Sequence, residues 1–173
     1  MNIAITGHRK VEYSSNTDSI IHQACERIDQ YFPNEKLIVF SCLAEGADRI
    51  LSRHLLHLDN ATLTVILPLP ETDYINDFKT EESKEEYYQL KKLAHKIIEV
   101  PLKVQRPYAY QLANRVMLDH CQLVFAIWDG KPPRGIGGTA DMIYMARAKQ
   151  ITIIWIASGP NYGLTVINME RIK

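Results

Sequence analysis

The chain has 173 residues, 46% hydrophobic and 23% charged, with Gly and Pro at 8 each, a composition that excludes a disordered or fibrous protein. Twenty Lys and Arg offset twenty Asp and Glu without an extended block of like charge, so the electrostatic footprint of a duplex nucleic-acid binder is missing and a small ligand is the expected partner. No apolar run approaches the ~20 residues of a membrane span, and the start MNIAITGHRK reads as a strand and not as a leader, so no membrane partner and a cytoplasmic location are expected.

In chain order, NIAIT opens as a strand, and Ile20, Ile21, Ala24, Cys25, Ile28 and Phe32 follow at helical spacing. KLIVFSC is the second strand, and Ala47, Ile50, Leu51, His54, Leu55 and Leu58 give the second helix. TLTVILPL is then a strand, the segment from about Glu81 to Lys96 a helix in which the run Glu81 to Lys92 is a solvated face, and KIIEVPL a strand. Tyr108 to His120 reads as helix, QLVFAIW as strand, the segment after Gly138 as a helix burying Met142, Ile143 and Ala146, and ITIIWIA as strand. The tail YGLTVINMERIK adds a last strand or a short extension. Short Val- and Ile-rich runs separated by amphipathic helices predict one α/β domain over residues 1–173, Rossmann-like, with a mostly parallel sheet and helices on both faces. Right-handed crossovers would return each strand beside an earlier one.

Three cysteines without Cys-x-x-Cys spacing predict neither a disulfide framework nor a zinc site. Cys25 and Cys121 are expected in the core and Cys42 at a strand end, with no metal and no cofactor.

Ligands of such sheets bind outside the carboxyl ends of the strands, against helix N-termini. Those ends are the unusual parts of this sequence: TGHR after the first strand, SCLAEGAD after the second, PLP after the third, and WDGKPPRGIGGTAD after the fifth. The last stretch places Gly130, Gly135, Gly137 and Gly138 within nine residues. It is not a dinucleotide fingerprint, because it lies late in the chain and no acid closes a strand about 20 residues on, and it is not a Walker loop, because no Gly-Lys-Ser/Thr follows. Two readings remain: a backbone nest at a helix N-terminus, with Gly135, Gly137 and Gly138 leaving N–H groups open and Thr139 adding a hydroxyl for a phosphate, or a loop whose glycines only serve tight turns.

With ITGHR, SCLAEGADRI and AIWDG...GIGGTADMI at these positions, the chain resembles the SLOG superfamily, the fold group of DprA and of the LOG enzymes, in its small stand-alone bacterial branch. The resemblance spans about Asn2 to Ile156 and implies a Rossmann-like domain that binds, and in several branches senses, nucleotides or nucleotide-derived ligands. LOG enzymes, which cleave the bond between base and ribose phosphate, carry Pro-Gly-Gly-x-Gly-Thr-x-x-Glu. Laid over this chain, that pattern keeps Gly138 and Thr139 but meets Met142 where the acid should be. A thioether neither transfers a proton nor stabilises a cationic centre, so the hydrolase activity does not carry over by motif.

Individual side chains add candidates. Arg9, after Gly7 and His8, can fork onto a phosphate or sit in solvent; His8 can donate to a base or act as an acid/base. Glu45 and Asp48 share a face in a first helical turn, where acids are favoured by the dipole alone, or they bind ribose hydroxyls; Gly46 between them permits close approach. Glu45 is the first nomination for a catalytic acid in place of Met142 and Asp48 the reserve. Asp129 binds ligand or caps a turn. Tyr74, Tyr108 and Tyr110 stack on a base or pack. The expected function is binding of a nucleotide or nucleotide-derived ligand at the strand ends. The alternatives are a phosphoribohydrolase-type enzyme and an interaction protein that has lost its ligand. A homodimer is expected through the face from Tyr108 to Met117 with Gln111, Asn114 and Arg115.

Overall fold

A computed structural model of the chain describes residues 1–101, 104–158 and 163–167. β1 (Asn2–Gly7), β2 (Leu37–Ser41), β3 (Ala61–Leu67), β4 (Ala94–Glu99), β5 (Leu123–Trp128), β6 (Thr152–Ala157) and β7 (Gly163–Ile167) form one sheet in the order β4-β3-β2-β1-β5-β6-β7. The first six are parallel and β7 returns antiparallel on β6. The tail thus contributes a strand through Ile167; its last residues, and Leu102 of the KIIEVPL run, lie outside the described residues.

Alternation along the strands makes two cores. Ile3, Ile5, Val39, Leu63 and Phe125 face α1 (Ser15–Tyr31), α2 (Ala47–Leu56) and α4 (Glu81–Lys92), while Ala4, Phe40, Ile66, Val124 and Ala126 face α5 (Arg106–His120) and α6 (Thr139–Ala148). Helix starts are set by local chemistry: the Ser14 hydroxyl accepts from the Thr17 N–H, the Thr80 hydroxyl accepts from the Ser83 N–H, and Pro107 sits in the first turn of α5, where it loses no helical bond. The architecture is the α/β sandwich expected, with helices on both faces.

Two segments depart from the sequence reading. The helix expected to reach Lys96 ends at Lys92 and β4 already begins at Ala94. Leu93 and Ala94 continue the helical spacing of Tyr87 and Leu90, but pairing with β3 takes this stretch into an edge strand whose Ile97 stays exposed. Between β3 and α4, where no element was expected, a short helix α3 (Glu71–Tyr74) and a 3-10 turn at Ile75–Asp77 cover the strand ends. Nor is α4 merely a solvated face: Tyr87 and Leu90 are buried, and Glu86 pairs with Arg49 and Arg53 of α2.

The chain leaves β1 towards α1 on one face and leaves β5 towards α6 on the other, although β1 and β5 are neighbours. That divergence opens a crevice at their carboxyl ends, the switch point where ligands of open α/β sheets bind.

Candidate functional site

The crevice is a cleft of about 350 Å³, within the range of small-molecule sites. Gly7, His8 and Arg9 enter it from β1, Asp48 from α2, Asp129 from β5, and Gly135, Gly137, Gly138 and Thr139 from the long loop into α6. Tyr74, Tyr110, Asn114 and Met117 close the side beneath α3 and α5.

Gly7 serves packing. A Cβ there would lie 2.2 Å from Ala47 Cβ and 2.7 Å from the Ile127 carbonyl, so its absence lets α2 start directly against β1. Gly137 has φ +79° and a missing Cβ that would meet Tyr110 and the α5 backbone at 2.7–2.9 Å, so it is the tight turn that seats the loop on α5. Gly135 and Gly138 are different: nothing approaches within 4 Å of their absent Cβ. Gly138 is the N-cap of α6, and the Thr139 and Ala140 N–H groups that follow have no intrahelical acceptor.

The nest is narrower than the sequence suggested. The Gly137 N–H, read there as open, donates to Asp141 Oδ2 at 2.9 Å, and Gln111 Nε2 donates to the same oxygen at 3.0 Å. Asp141, in the first turn of α6, was not singled out, although an acid three residues after a helix cap is a readable capping signal. Asn114 is buried and its amide donates to the Gly137 carbonyl at 3.2 Å. Gln111 and Asn114, expected on the pairing face, therefore hold this loop from within.

Glu45 is placed elsewhere. Its carboxylate accepts from the Ser83 hydroxyl at 2.5 Å, over α4 and outside the lining of the cleft. Gly46, at φ +79°, turns the chain between Glu45 and α2 and also stays out of the lining. Met142 has no exposure and packs among Ile143, Ala146 and Val124. Of the acids at the second strand end, only Asp48 reaches the cleft.

Arg9 does line the cleft, but it donates to Asp77 Oδ2 at 3.0 Å. Asp77 also accepts from Arg106 and from the Tyr110 hydroxyl. Burial alone would raise its proton affinity; the Tyr110 hydroxyl and the two guanidinium groups outweigh that and hold Asp77 below the ordinary carboxylate range. No sequence signal points to Asp77, which stands 68 residues from Arg9 in the segment where no element was expected.

His8 Nε2 accepts from the Asp129 N–H at 3.0 Å and lies 3.1 Å from Asp129 Oδ1. Asp129 also caps its own turn by accepting from the Lys131 N–H at 3.1 Å, with Lys131 and Arg134 within 3.8 Å of its other oxygen. Burial pushes the Asp129 carboxyl up, but the Lys131 N–H, the His8 ring and the Lys131 charge prevail and keep it ionised below its usual midpoint. The tyrosines are mainly structural: Tyr74 is buried with its hydroxyl donating to the Cys42 carbonyl at 3.0 Å, and Tyr108 is exposed outside the lining. Cys25, Cys42 and Cys121 are all buried free thiols, and burial raises each thiol pKa. Among the described residues no helix is long and apolar enough to cross a membrane.

No protein-family model and no curated protein matches the sequence. The chain is similar to several solved structures, among them these two. DNA processing protein A (DprA) from Streptococcus pneumoniae is 15% identical with a TM-score of 0.58, over 92% of this chain and 51% of that one. TM1055, a structural-genomics target, is 16% identical with a TM-score of 0.50, over 86% of this chain and 69% of that one. The chain thus spans 51% of the DprA chain's length. At such identities the likeness concerns the path of the chain: this protein has a Rossmann-type α/β fold similar to that of DprA.

Proposed function

We propose that the cleft binds the phosphate of a nucleotide or nucleotide-derived ligand at the N-terminus of α6. The observation that carries this reading is Gly138: an N-cap without a side chain, with open space where one would stand and unpaired first-turn N–H groups behind it, at the switch point of the sheet. A phosphate there meets the positive end of the helix dipole and the N–H donors together. Lys131 and Arg134, both strongly exposed on the loop above, supply further positive charge. A thermal-shift screen across mono-, di- and cyclic nucleotides and ADP-ribose species tests it. A ligand at 100 times its dissociation constant adds ~2.7 kcal/mol, a shift of about 8 °C for a domain of this size. No shift with any of them sinks the proposal.

The geometry does not favour glycosidic hydrolysis through the acid position of the LOG pattern or its first substitute, since Met142 is sealed in the core and Glu45 is held by Ser83 over α4; of these positions only the reserve, Asp48, borders the cleft. Incubation with the common nucleoside monophosphates is therefore expected to release no free base by chromatography. Release by the wild-type protein would replace the binding reading with the enzymatic one.

Pairing is proposed through the outer faces of α5 and α6, where Tyr108 and Tyr144 are each nearly half exposed and Arg115 is exposed as well. Light scattering is expected to give twice the chain mass. A monomer at every workable concentration removes the proposal.

A further inference from the structure

Asp48 stands in the first turn of α2 with its side chain in the cleft wall and only 6% of the residue exposed. Its hydrogen-bond donors are backbone groups, the Ala44 N–H at 3.3 Å from Oδ2 and the backbone of Cys42. The titratable and charged groups that face it are Arg9 from the β1–α1 loop, Arg49 from its own helix, the Cys42 thiol after β2 and the Tyr74 phenol of α3. Burial pushes the thiol and the phenol well up, so both stay neutral. Neither arginine pairs with Asp48. Arg9 donates to Asp77 at 3.0 Å, and Arg49 directs Nε and Nη1 to the Leu43 carbonyl, Ser83 and Glu86 at 2.6–3.0 Å, while its buried Nη2 has no hydrogen-bond partner. Among the described residues, then, no cation makes an ion pair with a carboxyl group that is buried and borders the proposed ligand site.

We propose that Asp48 takes up a proton from solvent when an anionic ligand binds, so that the occupied cleft holds it as a neutral carboxylic acid. The inference rests on the phosphate reading of the α6 N-terminus. An anion entering the cleft adds a like charge near a carboxylate that is already short of water, and it draws on Arg9, whose field now favours the ionised form. A neutral carboxyl removes the repulsion and gains an O–H donor for a ligand oxygen. The starting point is close to balance: burial, outweighing the Ala44 N–H and the two arginines, raises Asp48 to about 7 in the unliganded protein. The complex has the higher midpoint. Affinity is therefore full below the unliganded midpoint and falls, by up to about tenfold per pH unit, between that value and the midpoint of the complex.

Sulfate is the probe, because it remains a dianion across this range while a phosphate ester changes charge near pH ~6. Binding is read by amide chemical-shift titration of Gly138 and Thr139 at about pH 6 and about pH 8.5, with ionic strength held by chloride. The wild type is expected to bind sulfate at least ~10-fold more weakly at the higher pH. Asp48→Asn, which fixes the neutral state in nearly the same shape, should match the wild type at pH ~6 and bind at least ~10-fold more tightly than it at pH ~8.5. His8 also lines the cleft, identically in both proteins, so its contribution drops out of the comparison. If Asp48→Asn reproduces the wild-type affinities at both values, the Asp48 proposal falls while the α6 site stands. If sulfate moves neither amide at any pH, the α6 reading falls and takes this one with it. Should Asp48→Asn not fold, carbon-13 carboxyl shifts of Asp48 in the wild type decide: a midpoint that does not rise with sulfate overturns the proposal.

Discussion

Gly138→Leu should bind no hit from the nucleotide screen at concentrations that saturate the wild type, a loss of at least about 100-fold. The wild-type backbone at Gly138 lies open to the cleft, and a phosphate can approach the first-turn N–H groups of α6 through the space where a side chain would stand. Two hydrogen bonds to a charged group contribute about 1.5 kcal/mol each at the low end, and together about 3 kcal/mol is a factor of more than 100. The fold should survive. Gly138 has φ −84° and ψ 177°, ordinary extended backbone for any residue, and nothing within 4 Å obstructs a Cβ. The cost is a poorer N-cap, about 1 kcal/mol, or a midpoint lower by about 3 °C. Wild-type affinity in a well-folded Gly138→Leu protein would show that ligands enter elsewhere.

What the sequence disclosed followed from periodicity. Ile3 and Ile5 against Ala4 in β1, or Met142, Ile143 and Ala146 in α6, are local patterns, and they place the helices on both faces without knowledge of strand order. The strand-end rule then located nine of the eleven nominated residues in one cleft. It could not say which way a side chain points at a turn. Glu45 and Asp48 are three apart in sequence, yet the turn at Gly46 sends one to Ser83 and the other to the cleft. The partner of Arg9 was equally hidden. Asp77 owes its place to the α3 excursion, which carries no period of its own, and its grip on Arg9, Arg106 and Tyr110 joins that excursion to the β1–α1 loop and to the first turns of α5. The glycines of GIGG also looked alike in sequence. Only the neighbours of each missing Cβ separate Gly137, which seats the loop, from Gly138, which leaves it open.

Gly46→Ala should be the reverse case, a change of one methyl outside the cleft that damages both stability and binding. Gly46 caps α2 at φ +79° and ψ −122°, a conformation that L residues rarely adopt. A Cβ there would lie 2.4 Å from the Arg9 carbonyl oxygen and 2.5 Å from that of His8, both backbone atoms with no rotamer to yield. The Ala47 N–H donates to the same His8 carbonyl at 3.0 Å, so α2 and the β1–α1 loop are tied where the methyl must be inserted. Left-handed strain of about 1–2 kcal/mol and overpacking of about 1–3 kcal/mol together give a loss near 3 kcal/mol, or about 10 °C in the unfolding midpoint. Relief can come only by moving the loop that bears His8 and Arg9 away from the helix that bears Asp48. The surviving folded protein should then bind the screen's hit at least about tenfold more weakly, as a small misplacement of positioning groups commonly does. A Gly46→Ala protein that melts within about 2 °C of the wild type would show that this junction yields without strain. The close packing of β1, β5 and α2 would then not be what fixes the geometry of the cleft.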